Sequence, residues 1–130
     1  MNLFANLFVA DKIEDEFGHQ LLRVHNFRNA FAVPFLPTQL SFSIATIVSG
    51  FKIGENYDFI IRICDEQNRD TEIGSLSVTQ DEPDSLLTMV MDSRNTPIWT
   101  SGMHVIEVLV NDIVIGETKI MILEEDKNNK

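Results

Sequence analysis

The sequence is poor in the features that mark secreted, membrane and redox proteins. Its single cysteine, Cys64, excludes an intrachain disulfide framework and fits a reducing compartment. No apolar run reaches the ~18 residues that a membrane-spanning helix needs. Residues 1–5 lack the basic region and apolar stretch of a signal peptide. We therefore expect a cytoplasmic protein with no membrane partner.

Basic residues are also scarce. The chain has 20 Asp and Glu against 10 Lys and Arg, a formal net charge of −10. This excess of negative charge repels a phosphate backbone, so direct nucleic-acid binding is not expected. The carboxylates can attract a basic partner or simply form solvated turns, and both interpretations stay open. The predicted acidic surface consists of Asp65, Glu66, Asp70, Asp81, Glu82 and Asp84.

Signatures of catalysis and of metal binding are missing. The histidines at positions 19, 25 and 104 form no pair with the spacing of zinc ligands. Cys64 has no neighbouring base that would activate it, and the glycines stand singly, with no loop that cradles phosphate. The acidic turns could converge on calcium, but they lack the Asp-x-Asp alternation and fixed glycine of common calcium loops. We expect no catalytic residue, no metal site and no cofactor.

The patterns that are present are those of β-strands. Residues 103–110 and 113–123 are rich in Val and Ile and flank the dipeptide Asn111-Asp112, which suits a two-residue turn with positive φ. This predicts a β-hairpin. Apolar and polar residues alternate in residues 40–48 and 57–63, which predicts strands with one face in a core.

Strand-length segments follow one another at intervals of about ten residues, separated by Gly, Asn, Asp and Pro. The spacing predicts an all-β, immunoglobulin-like antiparallel β-sandwich of about seven to nine strands. We expect a single domain over residues 1–123 and a polar flexible tail over residues 124–130. The core is predicted to contain Phe42, Ile44, Phe59, Ile61, Ile106, Val108 and Ile120.

Residues 31–37 are apolar where a loop should be polar. Prolines at 34 and 37 exclude a central strand and favour an extended course. The segment either caps an open end of the sandwich or forms a patch that faces a partner or a second copy, as in a homodimer. The same two interpretations apply to Trp99, because a Trp at an interface often contributes much of the binding energy. The partner-binding candidates are Phe31, Phe35, Leu36 and Trp99.

The chain resembles an uncharacterised family of small, soluble bacterial and phage proteins, a domain of unknown function. The likeness spans nearly the whole chain. It rests on Val9-Ala-Asp11, Gly18 with Leu21-Leu22, Pro34-Phe-Leu-Pro37, Gly54-x-x-Tyr57, Asp65-Glu-Gln-Asn68, and Gly102 before residues 105–110. The resemblance implies an immunoglobulin-like sandwich in a bacterial or phage setting and supplies no activity.

Two functions are consistent with these observations. The first is a non-catalytic, cytoplasmic protein-interaction module with a protein partner. The alternative is an acidic inhibitor, of the phage counter-defence type, that occupies a basic nucleic-acid-binding groove on another protein. The two differ in salt response, because charge mimicry weakens with ionic strength and apolar docking does not. A sugar- or calcium-dependent binding domain would instead need exposed aromatic side chains or a filled carboxylate cage.

Overall fold

The structure is a computed structural model that describes residues 3–16, 21–79 and 86–125. These residues form nine β-strands and no helix, so none of them belongs to a helix that could span a membrane. The strands are β1 (Phe4–Glu16), β2 (Leu21–Arg28), β3 (Ala30–Val33), β4 (Thr38–Ser49), β5 (Asn56–Cys64), β6 (Asp70–Thr79), β7 (Leu87–Ile98), β8 (Gly102–Val110) and β9 (Ile113–Glu124).

The strands form two packed sheets. Sheet A has the order β2-β1-β4-β7, and sheet B has the order β3-β9-β8-β5-β6. Neighbouring strands are antiparallel except β3 and β9, which are parallel. The prediction of an all-β sandwich with seven to nine strands is confirmed. The finer immunoglobulin-like assignment stays a prediction.

The terminal hairpin forms as its turn residues predict. Asn111 and Asp112 have φ values of 49° and 67°, the left-handed conformation that both central residues of a type I′ turn adopt. The register pairs Val110 with Ile113 across this turn. The twist of such a turn matches the twist of its flanking strands, so β8 and β9 leave it already paired.

The core lies between the sheets. The seven predicted core residues are each at most 2% exposed, which confirms the face assignment for Phe42, Ile44, Phe59, Ile61, Ile106, Val108 and Ile120. Thr46 is also fully buried, and its Oγ1 atom has no hydrogen-bond partner. A buried hydroxyl without a partner destabilises a fold, so Thr46 is an unfavourable site in this core.

Two segments differ from what their local polarity suggests. Residues 12–16 are mostly charged, but β1 continues through them because they pair with β2, for example Ile13 with Val24. The predicted tail starts at residue 124, but this residue belongs to β9. Glu124 pairs with Val33 in β9, and the Glu125 N–H donates to the Val33 carbonyl at 2.8 Å. Both differences arise from pairing between distant segments, which overrides local polarity.

Candidate interaction surface

Three connections meet at one end of the sandwich. The pairing of Thr38 with Ile98 brings the start of β4 beside the end of β7. The loop of residues 34–37 precedes Thr38, and Trp99 follows Ile98. The β5–β6 turn, residues 65–69, is at the same end, since Arg69 contacts Trp99. We call residues 34–37, 65–69 and 99–101 the loop end.

The apolar loop divides between core and surface. Phe31 lies in β3, is 7% exposed and packs its ring 5.8 Å from that of Phe42. It is therefore a core residue, which corrects its assignment as a partner-binding candidate. Leu36 is partly buried against the same core. Phe35 is 52% exposed and lies in a bend of the chain between the two prolines. The loop thus both caps the sandwich and presents one aromatic ring to solvent.

Trp99 is held in place by a charged turn. Its side chain is 39% exposed, and the Arg69 guanidinium carbon lies 5.3 Å from the centre of its ring system. An arginine at this distance is attracted by the negative face of the aromatic system. The Nε–H of Arg69 donates to Oδ2 of Asp65 at 2.8 Å, which fixes the guanidinium. Sequence reasoning missed Arg69, because no local signal links it to a tryptophan thirty positions later.

Asp65 is the anchor of this turn and is not part of the acidic surface. Only 8% of the residue is exposed. Its Oδ1 atom accepts the backbone N–H groups of Gln67 and Arg69 at 2.9 and 3.0 Å. Burial acts to raise the pKa of the Asp65 carboxyl, but the hydrogen bonds from Arg69 and Gln67 outweigh it and lower that pKa below its ordinary value. Asp65 is therefore ionised and structural at neutral pH.

The other predicted acidic residues also make internal contacts where the structure describes them. Glu66 accepts the Met103 N–H at 2.9 Å, and Asp70 lies 3.8 Å from the Arg62 guanidinium. The remaining members of the set lie outside the described residues: Asp81, Glu82 and Asp84. Across the described ranges, no group of three or more His, Cys, Asp or Glu side chains is placed to hold a metal ion.

The loop end is a surface and not a pocket. The cavity between Asp65, Arg69, Trp99 and His104 measures about 10 Å³, which is room for about one water molecule. Sites for small molecules usually measure about 300–1,000 Å³. A larger cleft, of about 270 Å³, lies at the opposite end, beside Tyr57. The candidate residues are therefore suited to contact a surface of a partner.

Cys64 is a protonated thiol at neutral pH. It is partly buried, and its sulfur donates to Oε1 of Glu107 at 3.1 Å. Burial raises the pKa of the thiol strongly, and the carboxylates of Asp70 and Glu107 raise it further. Only the thiolate is strongly nucleophilic, so this cysteine is poorly reactive.

The described histidines lie on different sheets. His25 is exposed on β2, with Nε2 3.0 Å from Oε1 of Glu14. His104 is buried on β8, with Nδ1 3.0 Å from the carbonyl oxygen of Gly102. His19 lies outside the described residues. Each described ring has a polar partner of its own, and the two do not form one site.

A second apolar cluster, which sequence reasoning missed, lies on the outer face of sheet A. We call it the outer cluster, and it comprises Phe8, Ala10, Ile13, Leu22, Ala45 and Val90. The Phe27 ring stacks on that of Phe8 at 5.8 Å and is 67% exposed. The available signal was in residues 44–48, where four of five residues are apolar, because such a run is typical of a strand buried on both faces.

Comparison with known proteins supports the fold alone. No protein-family model matches the chain, and no curated protein matches it. Among solved structures, the chain is similar to the alkylpurine DNA glycosylase AlkC of Pseudomonas fluorescens, bound to DNA that contains an abasic-site analogue, with a TM-score of 0.57 and 9% identity. That match covers 93% of this chain and 30% of the glycosylase.

A β-glucosidase from Listeria innocua is similar to the same degree. The TM-score is 0.56 and the identity is 6%, over 95% of this chain and 16% of the glucosidase. The chain thus spans less than a third of either enzyme. At such low identity the likeness shows a shared β-sandwich and carries no function across.

Proposed function

We propose that the protein is a non-catalytic, cytoplasmic protein-interaction module of a bacterium or phage, and that it binds its partner through the loop end. The observation that carries the proposal is the presentation of two exposed aromatic side chains, Phe35 and Trp99, from separate loops at one end of a rigid sandwich. Loops held on a rigid scaffold are common binding sites.

The geometry around Trp99 favours binding. Trp and Arg are enriched among the residues that contribute most to protein–protein affinity. Here they are stacked, and Asp65 fixes the arginine through a hydrogen bond of 2.8 Å. Less side-chain entropy is therefore lost when a partner docks, because the two side chains are already ordered. The partner that fits is a protein with an apolar hollow for Phe35 and Trp99.

The test is capture of partners from the native host with three forms of the protein. Wild type is compared with the double variant Phe35→Ser, Trp99→Ala and with Ile53→Ser, a matched control. Ile53 is 58% exposed and lies in the loop at the opposite end of the sandwich. We expect the same protein to be captured by wild type and control and to be lost with the double variant. Equal capture by all three forms would refute the loop end as the binding surface.

An acidic stripe on sheet B favours the second candidate, an inhibitor that occupies a basic groove. The five strands of this sheet contain six Asp and Glu and two Lys and Arg. One cross-strand row places Arg62 between Glu72 and Glu107, and Glu107 opposite Glu117. Like charges directly opposite each other destabilise a sheet, and a cationic surface that covers them would relieve the repulsion.

The inhibitor hypothesis makes its own prediction. Glu117→Lys with Glu72→Lys should weaken binding and reduce its dependence on salt, because two carboxylates that a basic groove would contact are reversed. The double variant at the loop end should then bind as wild type does. Measurement of partner affinity for both variants separates the two functions.

A further inference from the structure

The connection between β7 and β8 carries the chain from sheet A to sheet B and contains Trp99. It consists of residues 99–101 and follows Ile98, which is 1% exposed and packs in the core. A short connection of this kind fixes the path of the backbone at its two ends. It does not fix the side chain of Trp99, which is 39% exposed. The contacts that orient this ring therefore come from another part of the chain.

The β5–β6 turn, residues 65–69, is braced by hydrogen bonds of its own. The Asp65 N–H donates to the Arg69 carbonyl at 3.1 Å, and the Asn68 N–H donates to the Asp65 carbonyl at 3.2 Å. Oδ1 of Asp65 accepts two further backbone N–H groups of the same turn. Asn68 has a φ of 61°, a left-handed conformation that asparagine tolerates better than most residues. The turn is thus a rigid base from which side chains can hold a neighbouring segment.

Two side chains of this turn contact the two ends of the β7–β8 connection. At its start, the Arg69 guanidinium lies against the Trp99 ring system. Just past its end, Oε1 of Glu66 accepts the Met103 N–H at 2.9 Å. The last pair between β5 and β8 is Cys64 with Val105, so Met103 lies beyond that ladder. The Glu66 carboxylate therefore extends the ladder by one hydrogen bond and ties the start of β8 to the turn.

Gly102 shows how closely Glu66 approaches the connection. A Cβ atom at this position would lie 3.1 Å from Oε1 of Glu66 and 3.4 Å from Oε2. The φ of Gly102 is 110°, a conformation that residues with a side chain rarely adopt. Both properties favour glycine immediately before the residue whose N–H Glu66 accepts. The sequence thus supplies the acceptor in the turn and the space for it in the connection.

We infer that the β5–β6 turn is a clamp that sets the orientation of Trp99, and that Glu66 is a positioning residue of the loop end. The inference deepens the proposed function and rests on it for the effect on binding, since Glu66 acts through Trp99 and needs no contact with the partner. Glu66 is exposed, and one hydrogen bond at the surface adds little to the free energy of unfolding. Its loss should therefore free the Trp99 connection and leave the fold intact.

The first test needs no partner, because Trp99 is the only tryptophan of the chain and its fluorescence reports on the loop end alone. Wild type is compared with Glu66→Ala, which removes the acceptor, and with Glu66→Gln, whose amide oxygen can still accept the Met103 N–H. The matched control is Glu55→Ala. Glu55 also accepts one hydrogen bond, from the Tyr57 hydroxyl at 3.1 Å, and lies at the opposite end of the sandwich.

We expect Glu66→Ala to lower the fluorescence anisotropy of Trp99 and to increase its quenching by acrylamide. Glu66→Gln and Glu55→Ala should give the values of wild type. The melting temperatures of the four forms should agree within about 5 °C, since each variant loses at most one hydrogen bond. Unchanged Trp99 fluorescence in Glu66→Ala would overturn the clamp. Rapid exchange of the Met103 amide proton in wild type would also overturn it, and that measurement requires no variant.

The second test is the affinity of the captured partner for the same four forms. Glu66→Ala should weaken binding by about two- to tenfold, because a partner must then order a side chain that the clamp holds in wild type. Glu66→Gln should restore most of this loss, and Glu55→Ala should bind as wild type does. A change in Trp99 fluorescence without any change in affinity would support the clamp and refute the loop end as the binding surface. The two proposals therefore fail on different measurements.

Discussion

Phe31 and Phe35 are four positions apart in one apolar segment, and the structure predicts that their truncation lowers the stability by very different amounts. Phe31→Ala removes a ring that is 7% exposed and packs on Phe42. Loss of such a ring leaves a cavity and typically lowers the free energy of unfolding by about 3–5 kcal/mol. Phe35→Ala removes a ring that is 52% exposed. Only about half of the ring's area leaves water on folding, so we expect the free energy of unfolding to fall by about 1 kcal/mol or less.

The assay is urea unfolding of wild type and both variants, with thermal unfolding as a second probe. A loss of 1 kcal/mol shifts the melting temperature of a domain this size by roughly 3–5 °C, so the two variants should differ by about 10 °C. The slope of the free energy against urea should be unchanged, which shows that the folded state keeps its compactness. Equal losses for the two variants would refute the division of this segment into core and surface.

Three further substitutions test other parts of the structure. Thr46→Val should stabilise the fold by about 1 kcal/mol, measured by urea unfolding, because it replaces a buried hydroxyl without a partner by a methyl group. Gly116→Ala should destabilise it by about 2 kcal/mol or more in the same assay, since a Cβ atom there would lie 2.3 Å from the Ala5 carbonyl oxygen. Asp65→Asn should lower the free energy of unfolding by about 1–3 kcal/mol at pH 7, because an amide oxygen accepts weaker hydrogen bonds than a carboxylate oxygen. The pKa of Asp65 is lower in the folded state than in the unfolded chain, so its contribution is present at neutral pH and disappears as the pH falls through the folded pKa. The stability gap between wild type and Asp65→Asn should therefore close in acid, and a gap that widens in acid would contradict the assignment.

The local sequence pattern was sufficient to predict a strand wherever only one face of that strand is buried. The alternation around Phe59 and the turn at Asn111 are encoded within a few residues, and both predictions are confirmed. The local pattern did not predict a strand, or the burial of its residues, where these depend on pairing with a distant segment. Strand β3 exists because it pairs in parallel with β9, and Phe31 is buried for that reason. No local rule shows that a strand ninety positions later covers this segment.

The candidate site was predictable only in part. The exposed aromatic residues Phe35 and Trp99 were identified as candidates because apolar side chains in loops are unusual. Their position at one end follows from the register of β4 with β7, which the sequence alone does not reveal. Asp65 was misassigned because its burial depends on hydrogen bonds within its own turn. A charge count treats such a carboxylate as solvated surface.

The affinity of the captured partner for wild type and for Trp99→Ala, measured at low and high salt, tests the central claim most directly. If the loop end binds through its aromatic side chains, Trp99→Ala should weaken binding by about tenfold or more. The affinity of wild type should change by less than about threefold between 50 and 500 mM salt, since apolar docking is weakly screened. An affinity that is unchanged in Trp99→Ala but falls steeply with salt would contradict the account and favour the acidic stripe of sheet B.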